Sequence, residues 1–229
     1  MPDNIDKKVE NLDNKVIELE KELYRLKCFL DIYKIIILNA KEINAVGWGK
    51  IFFWQVRQMS LDSYALGICK VFEEEKNHEL YSLPSILETA KDCNPQDKCP
   101  LRDFINKYRD LLSQTEEEGK NSLIADIEGI YTKFYQKYFV EDTKIKDVRN
   151  KIIAHPEYIE DVMRPKNLPS YDTMEKILFF AIYMHSAISN AYLVVGPHPI
   201  KNDERVLSST RAVLENFGVS NVKIKFDDE

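Results

Sequence analysis

The first forty residues repeat apolar side chains in alternating steps of four and three: Ile5, Val9, Leu12, Val16, Leu19, Leu23, Leu26, Leu30, Tyr33, Ile37 and Ala40. A strand cannot present that spacing on one side, so the chain is expected to begin with a long helix bearing a single apolar seam. In heptad terms, valine takes a positions 9 and 16, and leucine takes d positions 12, 19 and 26. β-branched a with leucine d favours a parallel two-stranded coil, although leucine at a positions 23 and 30 weakens that preference. The flanks agree with such pairing. Lys8 with Asp13, Lys15 with Glu20, and Glu22 with Lys27 stand at g and following e positions, each pair opposite in sign. Residues 1–27 are therefore expected to form a dimerising coiled coil running into the first core helix. The alternative is a long helix packed on its own bundle.

Helical signals continue along the chain. The run "IFFWQVRQMSLDSYALGICKVFEEEK" after "GWG" is apolar on most sides, as in a central helix, with Arg57 and Asp62 expected to be salt-bridged to neighbouring helices. "SLPSILETAKDC" places Pro84 in a first helical turn, and "NPQDKCP" reads as a turn. "LRDFINKYRDLLSQ" is amphipathic, and "NSLIADIEGIYTKFYQKYFV" carries an aromatic stripe read as core. "EDTKIKDVRNKIIAH" forms a further helix that Pro156 ends. Asp172 and Glu175 make a capping-box-like start for the next. "DERVLSSTRAVLENFG" closes the series with Gly218 just beyond its end. With only 7 glycines and 9 prolines, the chain is expected to be all-α: an antiparallel helical bundle over residues 28–217, and a tail over 218–229 that is a strand or loose.

Several functions are excluded by what is missing. A net charge of −6 argues against nonspecific nucleic-acid binding by a basic surface, although not against a local basic site. The Met-Pro-Asp start has no basic region followed by an apolar run, so the chain is expected in the cytoplasm with Cys28, Cys69, Cys93 and Cys99 reduced. Cys93 and Cys99 lack the second ligand pair of a structural zinc site, and no metal or cofactor is expected. No phosphate-cradling glycine loop, H-E-x-x-H helix or nucleophile elbow occurs. Residues 177–196 are uncharged and long enough to span a bilayer, but His185, Ser186, Ser189 and Asn190 form a polar stripe that suits a soluble bundle better. His185 is read as a core or interface residue, while His78 and His198 fall in a polar loop and a turn.

The heptapeptide "RNKIIAH", Arg149 to His155, is the candidate chemistry. Val148, Ile152 and Ile153 are expected to hold this helix to the core, leaving Arg149, Asn150 and His155 elsewhere. Six residues amount to about 600° of helical rotation, so Arg149 and His155 are offset by about 120°. They converge if the helix frays near Pro156, or if a twofold axis brings in a second copy. RNA carries its own nucleophile, the 2′-hydroxyl. Its cleavage then needs proton transfer, which an imidazole supplies, and a cation for the phosphorane, which a planar guanidinium supplies. Asn150 is placed to orient either group, and Lys144, Lys146 and Lys151 add a basic strip for substrate. By spacing alone, R-x₅-H is also compatible with a plain helix end.

In its all-helical context, "VRNKIIAHP" resembles the signature of the HEPN superfamily: an arginine, a polar residue, then a histidine. Arg149, Asn150 and His155 match those positions. Residues 60–87, "SLDSYALGICKVFEEEKNHELYSLPSIL", are similar to the upstream region of the AbiU-like abortive-infection branch. The resemblance covers residues from about 28 to 217 and does not include the N-terminal heptad. It implies a HEPN-like bundle and a homodimer with facing motifs. The implied activity is metal-independent endoribonuclease cleavage leaving a 2′,3′-cyclic phosphate. It also implies RNA as substrate, a role in phage defence or a toxin–antitoxin pair, and an antitoxin or regulator as a further partner. The alternative is a non-catalytic coiled-coil dimer that binds RNA, a nucleotide or a protein.

Overall fold

The computed structural model describes residues 2–47, 49–74, 81–112, 122–154, 168–193 and 204–225, with the backbone alone for 2–6 and 152–154. The helices are α1 (Pro2–Leu38), α2 (Ala40–Val46), α3 (Lys50–Val71), α4 (Leu83–Lys91), α5 (Cys99–Lys107), α6 (Leu123–Tyr135), α7 (Lys144–Ala154), α8 (Tyr171–Tyr192) and α9 (Glu204–Asn216). A short 3₁₀ turn follows α5 at Arg109–Leu111, and a π-helical segment, Gln136–Glu141, extends α6. No strand occurs among the described residues, and the fold is an all-α bundle with a long N-terminal helix.

The seam of α1 is covered within the chain. Leu12, Val16, Leu19, Leu23, Leu26 and Leu30 are at most 1% exposed, because α1 packs against α3, α4 and α8. This corrects the expectation of a coiled coil that dimerises through those residues. The flanking charges are also used internally. Lys8 pairs with Asp92 at 2.8 Å, and Lys15 donates to Ser85 Oγ at 2.7 Å. Lys27 forms a buried bridge to Asp31 one turn on, at 2.5 and 2.6 Å. The physical reason lies in α3 and α8. Both are apolar on several sides, so each needs a second apolar partner, and α1 supplies it. Approach is close at Gly67 of α3, where a Cβ would meet Leu26 Cδ2 at 2.5 Å.

A smaller second core lies at the C-terminal end of α1. Ile35, Ile36, Ile43 and Phe53 pack there with Leu214, Val219 and Val222. The tail is neither strand nor loose as far as residue 225. Asn39, in the break between α1 and α2, donates to Lys223 O and accepts from Lys223 N, each at 2.8 Å. Gly49 starts α3 at φ +81°, and a Cβ there would stand 2.6 Å from the Phe217 ring, so glycine is required for both reasons.

Local details follow or amend the sequence reading. Ser82 caps α4 ahead of Pro84. Helix α8 begins one turn before Glu175, capped by Ser170, which accepts from Thr173 N at 3.1 Å. Asp172 is therefore a first-turn residue and Glu175 lies one turn in, rather than forming the cap, and Glu175 accepts from Tyr171 Oη at 2.8 Å. Neither Arg57 nor Asp62 makes the ion pair expected of it among the described residues. Arg57 lies between the Tyr33 and Trp54 rings, and Asp62 accepts from Gln58 at 2.6 Å. His185 is buried, its Nε2 donating to Val16 O at 2.9 Å. His78 and His198 lie outside the described residues. No helix among the described residues is long and apolar enough to cross a membrane.

Candidate functional site

Helix α7 is anchored at its start and along one side. Asp142 accepts from Lys144 N at 3.3 Å, and the Thr143 hydroxyl donates to Asp147 at 3.0 Å. Ile145 and Val148 are buried as α7 packs on α3. The Ile152 and Ile153 side chains, which were also expected to anchor it, lie outside the described residues. With Ile145 and Val148 turned inward, Lys146, Arg149 and Asn150 occupy one adjoining flank, at i, i+3 and i+4. All three line a cleft of about 350 Å³. Lys144 and Lys151 stand off that flank and do not line it, so of the three lysines assigned to substrate only Lys146 reaches the cleft. His155 follows the last described residue of α7 and lies outside the described residues.

The rest of the cleft comes from distant parts of the chain. Cys69, Phe72, Glu73 and Glu74 enter from the end of α3, while Tyr135 and Phe139 enter from α6 and its π-helical extension. The aromatic wall is rigid: Tyr135 stacks on Phe139 at 5.2 Å, and Phe139 packs on Phe72 at 4.7 Å. Lys146 is tied to that wall, donating to Tyr135 Oη at 3.0 Å. Arg149 and Lys146 both act electrostatically on the Cys69 thiol. Burial outweighs them and pushes that thiol up to about 11, so it stays protonated and is no nucleophile near neutrality. No ion pair joins Arg149 to Glu73 or Glu74 among the described residues.

Sequence reasoning missed Glu73, Glu74 and Tyr135. "EEEK" looks like a solvated helix end, and only the packing of α3 on α7 brings two of its glutamates to the rim of the same cleft as Arg149. The resulting cleft offers a planar cation, a second cation tied to the ring wall, an amide and two carboxylates over that aromatic wall. Such a site can hold a phosphodiester through Arg149 and Lys146. No group of three or more metal-ligating side chains occurs among the described residues.

Residues 9–206 match the HEPN_AbiU2 family, described as AbiU2. The chain belongs to that family. No curated protein and no solved structure matches it. The HEPN_AbiU2 match begins at residue 9, inside the segment expected to be a coiled coil running into the first core helix. The residues of α1 buried from Leu12 to Leu30 fall within the match. In this HEPN_AbiU2 protein, the flank of α7 that carries Arg149 and Asn150 also falls within the match.

Proposed function

We propose that this HEPN_AbiU2 protein is a metal-independent endoribonuclease that acts in abortive infection. One observation carries the reading: Arg149, Lys146 and Asn150 share the flank of α7 that lines the cleft. In the reaction, the 2′-hydroxyl oxygen bonds to the adjacent phosphorus and the bond from phosphorus to the 5′ oxygen breaks. The products are a 2′,3′-cyclic phosphate and a 5′-hydroxyl. One proton leaves the 2′-hydroxyl and one reaches the departing oxygen, so two transfers are needed. His155 performs such transfers, and a twofold arrangement of α7 helices supplies a His155 from each of two copies. Arg149 stabilises the phosphorane charge, Lys146 adds a second positive group, and Asn150 orients the phosphate.

The nucleophile belongs to the substrate, so the reaction needs no metal-bound hydroxide. Wild-type protein is expected to cut single-stranded RNA in excess EDTA, with His155→Ala and Arg149→Ala each losing about 10²–10³-fold in rate. Expression of the wild type, but not of His155→Ala, is expected to halt host growth. Mixing the two inactive variants is expected to restore part of the activity if each copy contributes to one site. Cleavage that requires added metal, or that survives both substitutions, overturns the proposal. The competing reading, a coiled-coil binding module, loses its main support because the α1 seam is buried within the chain.

A further inference from the structure

Helix α6 and its π-helical extension have a second working face. Tyr135 and Phe139 face the cleft, but Phe134, Lys137 and Tyr138 line a separate groove of about 500 Å³ between α5, α6 and α8. Two of its walls are exposed rings one helical turn apart on α8: Phe179, 36% exposed, and Tyr183, 45% exposed. The bundle core does not require rings there, since the neighbouring Phe180 already fills it. Phe134 stacks on Phe180 at 3.7 Å, and Tyr108 meets Phe180 edge-on at 5.0 Å, so the groove floor is fixed core.

The charge of the groove runs against that of the molecule. Lys107, Lys137 and Lys176 line it with one carboxylate, Asp110, although the chain as a whole carries −6. Planar apolar faces alternating with ammonium groups suit a polymer whose planar bases alternate with phosphates. Duplex does not fit this arrangement, because its bases are stacked on one another and unavailable to the rings.

We propose that this groove binds a single-stranded segment of RNA, with bases against Phe179 and Tyr183 and phosphates on Lys107, Lys137 and Lys176. The proposal rests on RNA being the substrate and gives it a second point of attachment on the opposite side of α6 from Arg149. Lys107 now covers the Tyr183 ring, its Nζ 3.6 Å from the centroid. An exposed contact of this kind is weak, so an arriving phosphate draws the ammonium away and bares the ring for a base.

The test uses the full chain carrying His155→Ala, so that RNA stays intact, and measures fluorescence anisotropy of labelled oligouridylate, single-stranded or annealed to oligoadenylate. Adding Phe179→Ala with Tyr183→Ala is expected to weaken single-strand binding about tenfold or more and to leave duplex binding unchanged. Each of Lys107→Gln, Lys137→Gln and Lys176→Gln is expected to reduce the dependence of log affinity on log salt by about 0.7. These positions are exposed, and thermal unfolding of each variant verifies that the bundle is intact. Unchanged single-strand binding in the ring variant overturns the proposal, as does displacement by free uridine monophosphate at equal concentration. Wild-type cleavage with unaltered binding in the ring variants sinks the groove and leaves the nuclease standing. Loss of binding in those variants, with no cleavage by the wild type, does the reverse.

Discussion

The seam of α1 and the flank of α7 are built on the same spacing, i, i+3 and i+4, yet they meet opposite surroundings. On α1 the spacing carries leucine and valine, and the bundle closes over every one of them from Leu12 to Leu30. On α7 it carries Lys146, Arg149 and Asn150, and the bundle leaves a cleft in front of them. A helical period identifies which residues share a side; it does not say what comes to cover that side. Cover for α1 is supplied by α3 and α8, and the floor of the α7 cleft by the end of α3 and by the Tyr135 and Phe139 rings.

The contrast is broken most directly at Leu26. Leu26→Ala is expected to destabilise the chain by about 2–5 kcal/mol, read as a lowered urea midpoint that does not depend on protein concentration. A midpoint that rises with concentration would return the seam to an interface between chains. Gly67→Ala tests the same contact from α3. A Cβ there presses on Leu26 and on the Glu22 carboxylate, and a loss of about 1–3 kcal/mol is expected in the same assay.

The seam also carries one titratable contact. Burial depresses the pKa of His185 below its ordinary 6.5, only partly offset by its hydrogen bond to Val16 O. The unfolded chain therefore takes up a proton that the folded chain refuses. Stability is expected to be full above about pH 6.5 and to decline as the pH falls below it. His185→Gln, which keeps a donor for Val16 O, is expected to flatten that part of a stability-versus-pH curve. At the small end, Arg149→Ala is expected to change stability by less than about 0.5 kcal/mol, although cleavage collapses. A large loss of stability there would mean that the α7 flank is a structural element like the seam.

What was legible in the sequence was local. The long first helix, the central α3 and Pro84 in the first turn of α4 all follow from period, capping and proline geometry; the expected stop of α7 at Pro156 lies outside the described residues. The placement of Arg149 and Asn150 off the side of α7 that Val148 buries is equally local. The partner of the seam was not legible, because opposite charges at g and e positions serve intrachain contacts to Asp92, Ser85 and Asp31 just as well. Glu73 and Glu74 were hidden for a related reason, reaching the cleft across scores of intervening residues, while Tyr135, 11 positions before Lys146, was read only as part of an aromatic core stripe. Arg57 shows the same limit, since an apolar context suggested an ion pair where two ring faces take the guanidinium.

The clasp between Asn39 and Lys223 spans 184 positions of the chain. During synthesis, the second core and the break after α1 must wait until the segment around Lys223 has left the ribosome. A change at Val222 or Lys223 thus reaches back to the first bend of the molecule, so the two ends of the described fold gain or lose order together.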